Sequence, residues 1–141
     1  MDIRYASGLE GITPAMLTGF FQGWKRPLSP EAHMQILKGS RHVVLAIDVV
    51  ALRVVGFINA LTDGCHSAFI PLLEVLPEYR GRGIGRQLLN RMLDLLGDYP
   101  CIDLTCDAML QPFYEEFGMQ RSTGMVIRDY DRKPHEETAG T

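Results

Sequence analysis

Cysteine is scarce in this chain of 141 residues: Cys65, Cys101 and Cys106 form an odd set with no C-x-x-C pair. That pattern excludes a disulfide framework and a zinc ribbon, and it reads as a reduced, cytoplasmic chain with buried thiols. A surplus of positive charge is missing too. Lys+Arg number 14 against 17 Asp+Glu, a formal net charge of −3, whereas a general nucleic-acid binder carries a basic excess. No long apolar run is present either. The most apolar stretch, His42 to Leu61, is broken by Asp48, Arg53 and Asn59, so it predicts no spanning helix and no membrane partner. Met1-Asp2-Ile3-Arg4 lacks a basic segment followed by an apolar one, so no secretory leader is expected. His33, His42, His66 and His135 fall at no ligand spacing and read as plain surface or strand histidines, so no metal is expected.

What is present suits a soluble α/β domain. Apolar residues make up 46% and charged ones 22%, too apolar for a disordered chain and enough for a core at this length. One domain is expected over residues 1–131, with a polar, disordered tail over 132–141. Ile3 to Tyr5 reads as an opening strand. Thr13-Pro14 signals a helix carrying Met16, Leu17, Phe20 and Phe21 on one face, and Ser29-Pro30-Glu31 starts a second helix that Gly39 stops. Strands follow at 43–47, 54–61 and 68–76, the last interrupted by Pro71, which implies an edge, a bulge or a splay. Ile84, Leu88, Met92 and Leu96 step by four along a further helix. A strand at 101–106, a helix at 109–117 and a strand at 125–129 complete a mixed sheet.

Gly81, Gly83 and Gly85 alternate at the junction into the helix that begins near Ile84, among Arg80, Arg82 and Arg86. Glycine allows close backbone approach, and the first-turn amides of a helix have no internal partner and favour an anion. A phosphate or pyrophosphate cradle is expected here. No Gly-Lys-Ser/Thr triplet is present, and counting from Gly81 the third glycine of G-x-G-x-x-G would fall on Arg86, so neither nucleotide fingerprint applies.

Val75-Leu76-Pro77-Glu78-Tyr79-Arg80-Gly81-Arg82-Gly83-Ile84-Gly85 resembles the acyl-CoA signature Q/R-x-x-G-x-G/A of GNAT-type N-acetyltransferases, with Arg80, Gly83 and Gly85 on its defining positions. Phe113-Tyr114-Glu115-Glu116-Phe117-Gly118-Met119 resembles that family's later F-Y-E-K-x-G-F segment. The element order agrees from about Ile3 to Tyr130. The resemblance implies a mostly antiparallel sheet with helices on both faces, and a splayed parallel strand pair, 68–76 and 101–106, that admits the pantetheine arm of acetyl-CoA.

It further implies an N-acetyltransferase acting on a primary amine, with Tyr114 as the acid that protonates the departing thiolate. The coenzyme would be bound by Leu73, Val75, Arg80, Gly81, Arg82, Gly83, Ile84, Gly85 and Arg86, and by Asp107, which stands where family members often carry Asn. Amides around Leu73 to Val75 would hold the oxyanion. Glu74, the only acidic residue of its strand, reads as a base or as a substrate contact. The family's acceptor pocket is shaped by the first two helices, which makes Trp24 and Phe21 candidate substrate contacts. Two other readings compete: a CoA-binding regulatory domain without turnover, and a nucleic-acid module using Arg80, Arg82, Arg86 and Arg91. One pyrophosphate and a solvated helix face explain those arginines better given the acidic total, so no nucleic-acid partner is expected. A homodimer is compatible with all three.

Overall fold

The computed structural model describes residues 2–135. Its centre is a five-stranded sheet in sequential order: β1 (Ile3–Ala6), β2 (His42–Asp48), β3 (Arg53–Thr62), β4 (Ser67–Val75) and β5 (Cys101–Asp103). The first three pairings are antiparallel and the last, β4 with β5, is parallel. Three helices accompany it: α1 (Pro30–Lys38), α2 (Ile84–Leu95) and α3 (Gln111–Glu115).

The β2–β3 hairpin turns without glycine, proline or asparagine at 49–52. Asp48 supplies the missing turn chemistry. Its Oδ1 accepts from the amides of Val50 and Ala51 at 3.0 and 3.1 Å, and Leu52 takes a left-handed φ of 55°. Its Oδ2 accepts from the Tyr79 hydroxyl at 2.7 Å, so the hairpin also anchors the approach to α2.

α1 and α2 lie on opposite faces of the sheet, as successive residues of β3 show. A Cβ on Gly56 would stand 3.1 Å from Leu88 Cδ1 and 3.2 Å from Ile84 Cγ2, so glycine lets α2 settle directly on the strand. Next to it, Phe57 points the other way, its ring centroid 4.3 Å from that of His33 on α1. α1 has the predicted limits: Ser29 Oγ accepts from the Ala32 amide at 3.1 Å, Pro30 opens the helix and Gly39 closes it.

Several sequence expectations are corrected. The helix predicted from Pro14 is only a 3-10 turn, Pro14–Leu17, because positive φ at Gly19, Phe21 and Gly23 breaks any continuation. Phe20 and Phe21 still reach the core, from loop backbone. The strand predicted to Cys106 ends at Asp103, and the helix at 109–117 is a 3-10 turn, Ala108–Leu110, running into the short α3. The strand predicted at 125–129 does not form; Met125 and Ile127 are 98% and 100% exposed. The cysteines are free but not buried: Cys65 is exposed, and Cys101 and Cys106 are half-buried. Of the predicted tail, residues 132–135 are exposed and 136–141 lie outside the described residues. No helix among the described residues is long and apolar enough to cross a membrane.

His33 is a further correction, being fully buried rather than superficial. Phe20, Phe21 and Phe57 surround its ring at 5.2, 4.8 and 4.3 Å, and neither ring nitrogen has a hydrogen-bond partner. Burial disfavours the imidazolium and lowers its pKa to about 4. The unfolded chain takes up this proton near pH 6.5 and the folded chain only near 4. Stability is therefore complete above about pH 6.5 and falls as pH drops through that window, by about 3 kcal/mol in all. Urea unfolding of wild type and His33→Phe from pH 7 to 4 checks this. The gap between their stabilities should shift towards the variant as pH falls, and parallel curves would refute it.

Candidate active site

β4 and β5 share a ladder only from Ser67–Cys101 to Phe69–Asp103. Beyond Phe69, β4 runs on to Val75 with no partner on that side. Leu76 donates its N–H to Val55 C=O at 2.8 Å. Backbone groups alternate along a strand, so the amides of Val75 and Leu73 face the open edge. Arg80 Nε, at 3.0 Å from Val75 C=O, confirms that orientation. The splay predicted near Pro71 is thus present.

The glycine-rich turn closes one end of this gap. Gly81 and Gly83 have φ of 76° and 81°, the left-handed region that side chains with a Cβ rarely adopt. Gly83 is the residue at which α2 starts, and no side chain caps it. The first-turn amides of α2 are therefore available to a ligand. α3 closes the other side. Arg86 ties the two helices together, with Nη2 at 2.7 Å from Glu116 Oε2 and its guanidinium 5.8 and 5.2 Å from the Phe113 and Phe117 ring centroids.

These elements enclose a cleft of about 510 Å³. The structure brings together, of the predicted residues, Leu73, Glu74, Val75, Arg80, Gly81, Gly83, Ile84, Gly85, Arg86 and Tyr114 along its walls. Asp107 is exposed and outside that lining, and so is Arg82, whose guanidinium sits 5.8 Å from the Tyr79 ring centroid. Tyr79, Leu110 and Phe113 complete the walls and were not anticipated, although each lies in or beside a segment that carries the resemblance. A cradle of unpaired amides, positive-φ glycines and two arginines fits a pyrophosphate, and the narrow gap beside β4 fits an extended arm.

Two titratable groups flank that gap. Burial pushes the Tyr114 hydroxyl above its ordinary pKa near 10, helped by the nearby Cys106. It therefore keeps its proton at neutral pH. Burial also raises the Glu74 carboxyl above its usual range, against the lowering effects of the Phe21 amide and the Arg80 charge. The Phe21 N–H donates to both Glu74 oxygens, at 3.2 and 3.0 Å. This contact spans 53 residues and fastens the loop after the 3-10 turn to the site. It also steadies a strained residue, since Phe21 has φ of 66°.

A second hollow of about 460 Å³ lies on the α1 side, walled by Trp24, Leu28, Ile36, Leu61, Pro71 and Leu72 among others. Leu72 and Glu74 share one face of β4, and the Trp24 ring packs tilted at 58° against Phe21, the residue that Glu74 holds, with centroids 4.9 Å apart. The hollow therefore lies on the face of β4 that carries Glu74, while Glu74 itself lines the cleft. Trp24 lines the hollow, whereas Phe21 is buried behind it.

Comparison with known proteins agrees with this geometry. A family model described as the acetyltransferase (GNAT) family matches residues 10–119. A structure of a protein from Deinococcus radiodurans R1, named as an acetyltransferase, is 46% identical with a TM-score of 0.88, over 92% of this chain and 90% of that one. A GNAT-family acetyltransferase from Streptococcus pneumoniae TIGR4 is 27% identical with a TM-score of 0.70, over 91% and 98%. Glucosamine-6-phosphate N-acetyltransferase from Arabidopsis thaliana, 11% identical with a TM-score of 0.67 over 93% and 100%, shares the fold. No curated protein sequence matches.

Proposed function

Because the chain belongs to the GNAT family of acetyltransferases, we propose that it moves an acetyl group from acetyl-CoA to a primary amine of a small molecule or peptide. The observation that carries this reading is the meeting, in one cleft, of the glycine turn, the open edge of β4, Glu74 and Tyr114. Acetyl-CoA, when bound, supplies an acyl thioester. The chain's own residues do the rest. Gly81 to Arg86 grip the pyrophosphate through first-turn amides and the charges of Arg80 and Arg86. The open-edge amides of Leu73 and Val75 face the charge that develops on the acyl oxygen.

Glu74 attracts the cationic amine and, with its carboxyl raised by burial, accepts a proton from it directly or through water. The attacking nitrogen forms a bond to the acyl carbon as the carbon–sulfur bond breaks. Tyr114 gives its proton to the departing sulfur and, left as a phenolate, takes up the second proton that the nitrogen sheds as the amide forms, so the phenol is restored. With a pKa of about 10 for an ordinary phenol against about 8.5 for a cysteine-like thiol, Tyr114 stays protonated until the thiolate departs. The hollow on the Glu74 face of β4 is the place for the rest of the acceptor, against Trp24 and Leu72. Three free cysteines support a reducing, cytoplasmic setting for this reaction.

Thiol release from acetyl-CoA across a panel of amines tests the reading. Amine-dependent release is expected, with a cationic amine the best substrate; binding of acetyl-CoA without release under any amine would leave a regulatory CoA-binding domain. On the best amine, Glu74→Gln should lower turnover most at low pH, where fewer amines are neutral. The glutamine oxygen still accepts from the Phe21 amide, so the loop stays in place. Identical pH–rate profiles for wild type and variant would remove Glu74 from the chemistry.

A further inference from the structure

Asn59 is a polar side chain set into the sheet: it is 1% exposed, and its Oδ1 has no hydrogen-bond partner among the described residues. Its orientation is fixed by its neighbours. The Ser40 hydroxyl donates its one proton to Ile36 C=O at 2.7 Å, so towards Asn59, at 3.0 Å, the same oxygen only accepts. Asn59 must therefore turn Nδ2 to Ser40, and Oδ1 is the atom left over. A buried carbonyl oxygen without a donor destabilises the fold, so its retention points to a ligand that completes it.

The hollow on the α1 side is the place for that ligand, since Asn59, Ser40 and Ile36 all belong to its wall. A bulge shapes it. Between the pairs Asn59–Leu72 and Leu61–Phe69, β4 takes three steps against two on β3, and Pro71, with no amide to donate, stands in the extra length. Trp24, Leu28, Leu61 and Leu72 make the rest of the wall apolar, and none of its lining residues is charged. Such a surface takes an uncharged tail, because an ion there would lose its hydration with no counter-ion in return. Register sets the reach. Asn59 opposes Leu72 and Phe57 opposes Glu74, so Asn59 is offset from Glu74 by two residues, about 7 Å along the strands.

We propose that the acceptor is a primary amine with an uncharged, apolar tail carrying one N–H or O–H donor, and that Asn59 Oδ1 selects this tail by accepting from that donor. The inference rests on the reading that the acceptor's nitrogen lies at Glu74 and its tail in the hollow. An aromatic ring two carbons from the nitrogen, with a hydroxyl at its far end, spans the offset. A tail without the donor leaves Oδ1 unpaired beneath it. A tail offering only an acceptor sets two oxygens against each other. Asn59 touches the tail and none of the reacting atoms, so it sets specificity and takes no part in the chemistry.

Tyramine, and its analogues with methyl or methoxy in place of the ring hydroxyl, present a donor, neither group, and an acceptor alone on one frame. Trp24, the single tryptophan of the chain, walls the hollow, so its fluorescence reports occupancy without turnover. Excitation at the red edge of the indole band avoids the phenol. On the full chain, tyramine should bind roughly tenfold more tightly than either analogue, the worth of one hydrogen bond to a buried group. Cadaverine, whose second ammonium would enter the apolar wall, should bind more weakly than tyramine. Asn59→Leu, close in size, should make the affinities for the three ring amines equal. Ser40→Ala, which frees the amide to turn, should narrow the gap between tyramine and the methoxy analogue. Equal affinities in wild type, or no fluorescence change with any of the amines, would overturn the proposal without recourse to a variant. Donor-selective binding without thiol release would leave the selection standing and sink acetyl transfer. Amine-dependent release indifferent to the donor would sink only the selection by Asn59.

Discussion

Tyr114→Phe is expected to lower turnover on the order of 10² to 10⁴-fold, the usual worth of a positioned general acid. Acetyl-CoA affinity should change little. The substitution removes one hydroxyl from a half-buried ring that packs edge-on against Phe113, with centroids 5.1 Å apart. Phenylalanine fills the same space, so α3 keeps its seat and the walls of the cleft keep their shape. What goes is the phenolic proton, which burial makes still harder to lose. Steady-state kinetics of thiol release and titration calorimetry with acetyl-CoA separate the two effects. An unchanged turnover would make Tyr114 a packing residue and move the acid elsewhere in the cleft.

Gly83→Val should abolish the stabilisation that acetyl-CoA confers. At a hundredfold excess over Kd, binding to the native state alone contributes about 2.7 kcal/mol. For a chain of this length that corresponds to a rise in Tm of roughly 5–10 °C. Gly83 starts α2 with φ of 81° and ψ of 8°, and a Cβ placed there meets nothing within 4 Å. The empty space matters twice over. The free variant suffers only the strain of a branched residue in the left-handed region, about 1–2 kcal/mol, and still folds. The valine side chain then stands in the space that a pyrophosphate would occupy, and the first-turn amides of α2 shift as the backbone relaxes. Thermal unfolding with and without acetyl-CoA decides it. A variant that retains the full rise in Tm would place the coenzyme away from residues 80–86.

Where the chain signals its structure locally, the sequence is a good guide. Ser29, Pro30 and Gly39 delimit α1 because capping and stopping are chemistry between near neighbours. The four-residue steps of Ile84 to Leu96 mark α2 because one face must meet β3. The aromatic run at Phe20 and Phe21 misleads for a related reason. It has helical spacing and it is buried, but the core accepts those rings from a loop that turns through Gly19, Phe21 and Gly23. Cys101 to Cys106 reads as one strand because strand propensity does not reveal where β4 diverges and the ladder ends. Met125 to Asp129 reads as a strand from its composition, which does not reveal that no ladder partner meets it among the described residues.

The site divides in the same way. Arg80, Gly83, Gly85 and Tyr114 are legible because phosphate-binding turns and the α3 segment have short, local patterns. Tyr79 enters the cleft wall through its bond to Asp48, 31 residues away, and Glu74 is held by an amide 53 residues away. Contacts at that separation leave no spacing to read. Asp107 occupies a matching position in the pattern, yet its exposed place at the start of a 3-10 turn keeps it outside the cleft.

The bond from the Phe21 amide to Glu74 bears on how such a protein can be re-engineered. Phe21 and Glu74 act as a fixed bracket, and the residues from Gln22 to Leu28 hang from it towards α1, with Trp24 and Leu28 facing the hollow. Trp24 and Leu28 can be exchanged, or the stretch lengthened, without moving the carboxylate that holds the bracket, provided Gly23 keeps its left-handed φ of 87°. Mutant libraries confined to this stretch, with positions 21 and 74 left untouched, therefore vary the shape of the hollow while preserving the geometry beside β4. Libraries that include position 21 would scramble both at once, and most of their members would be lost for reasons unrelated to the ligand being sought.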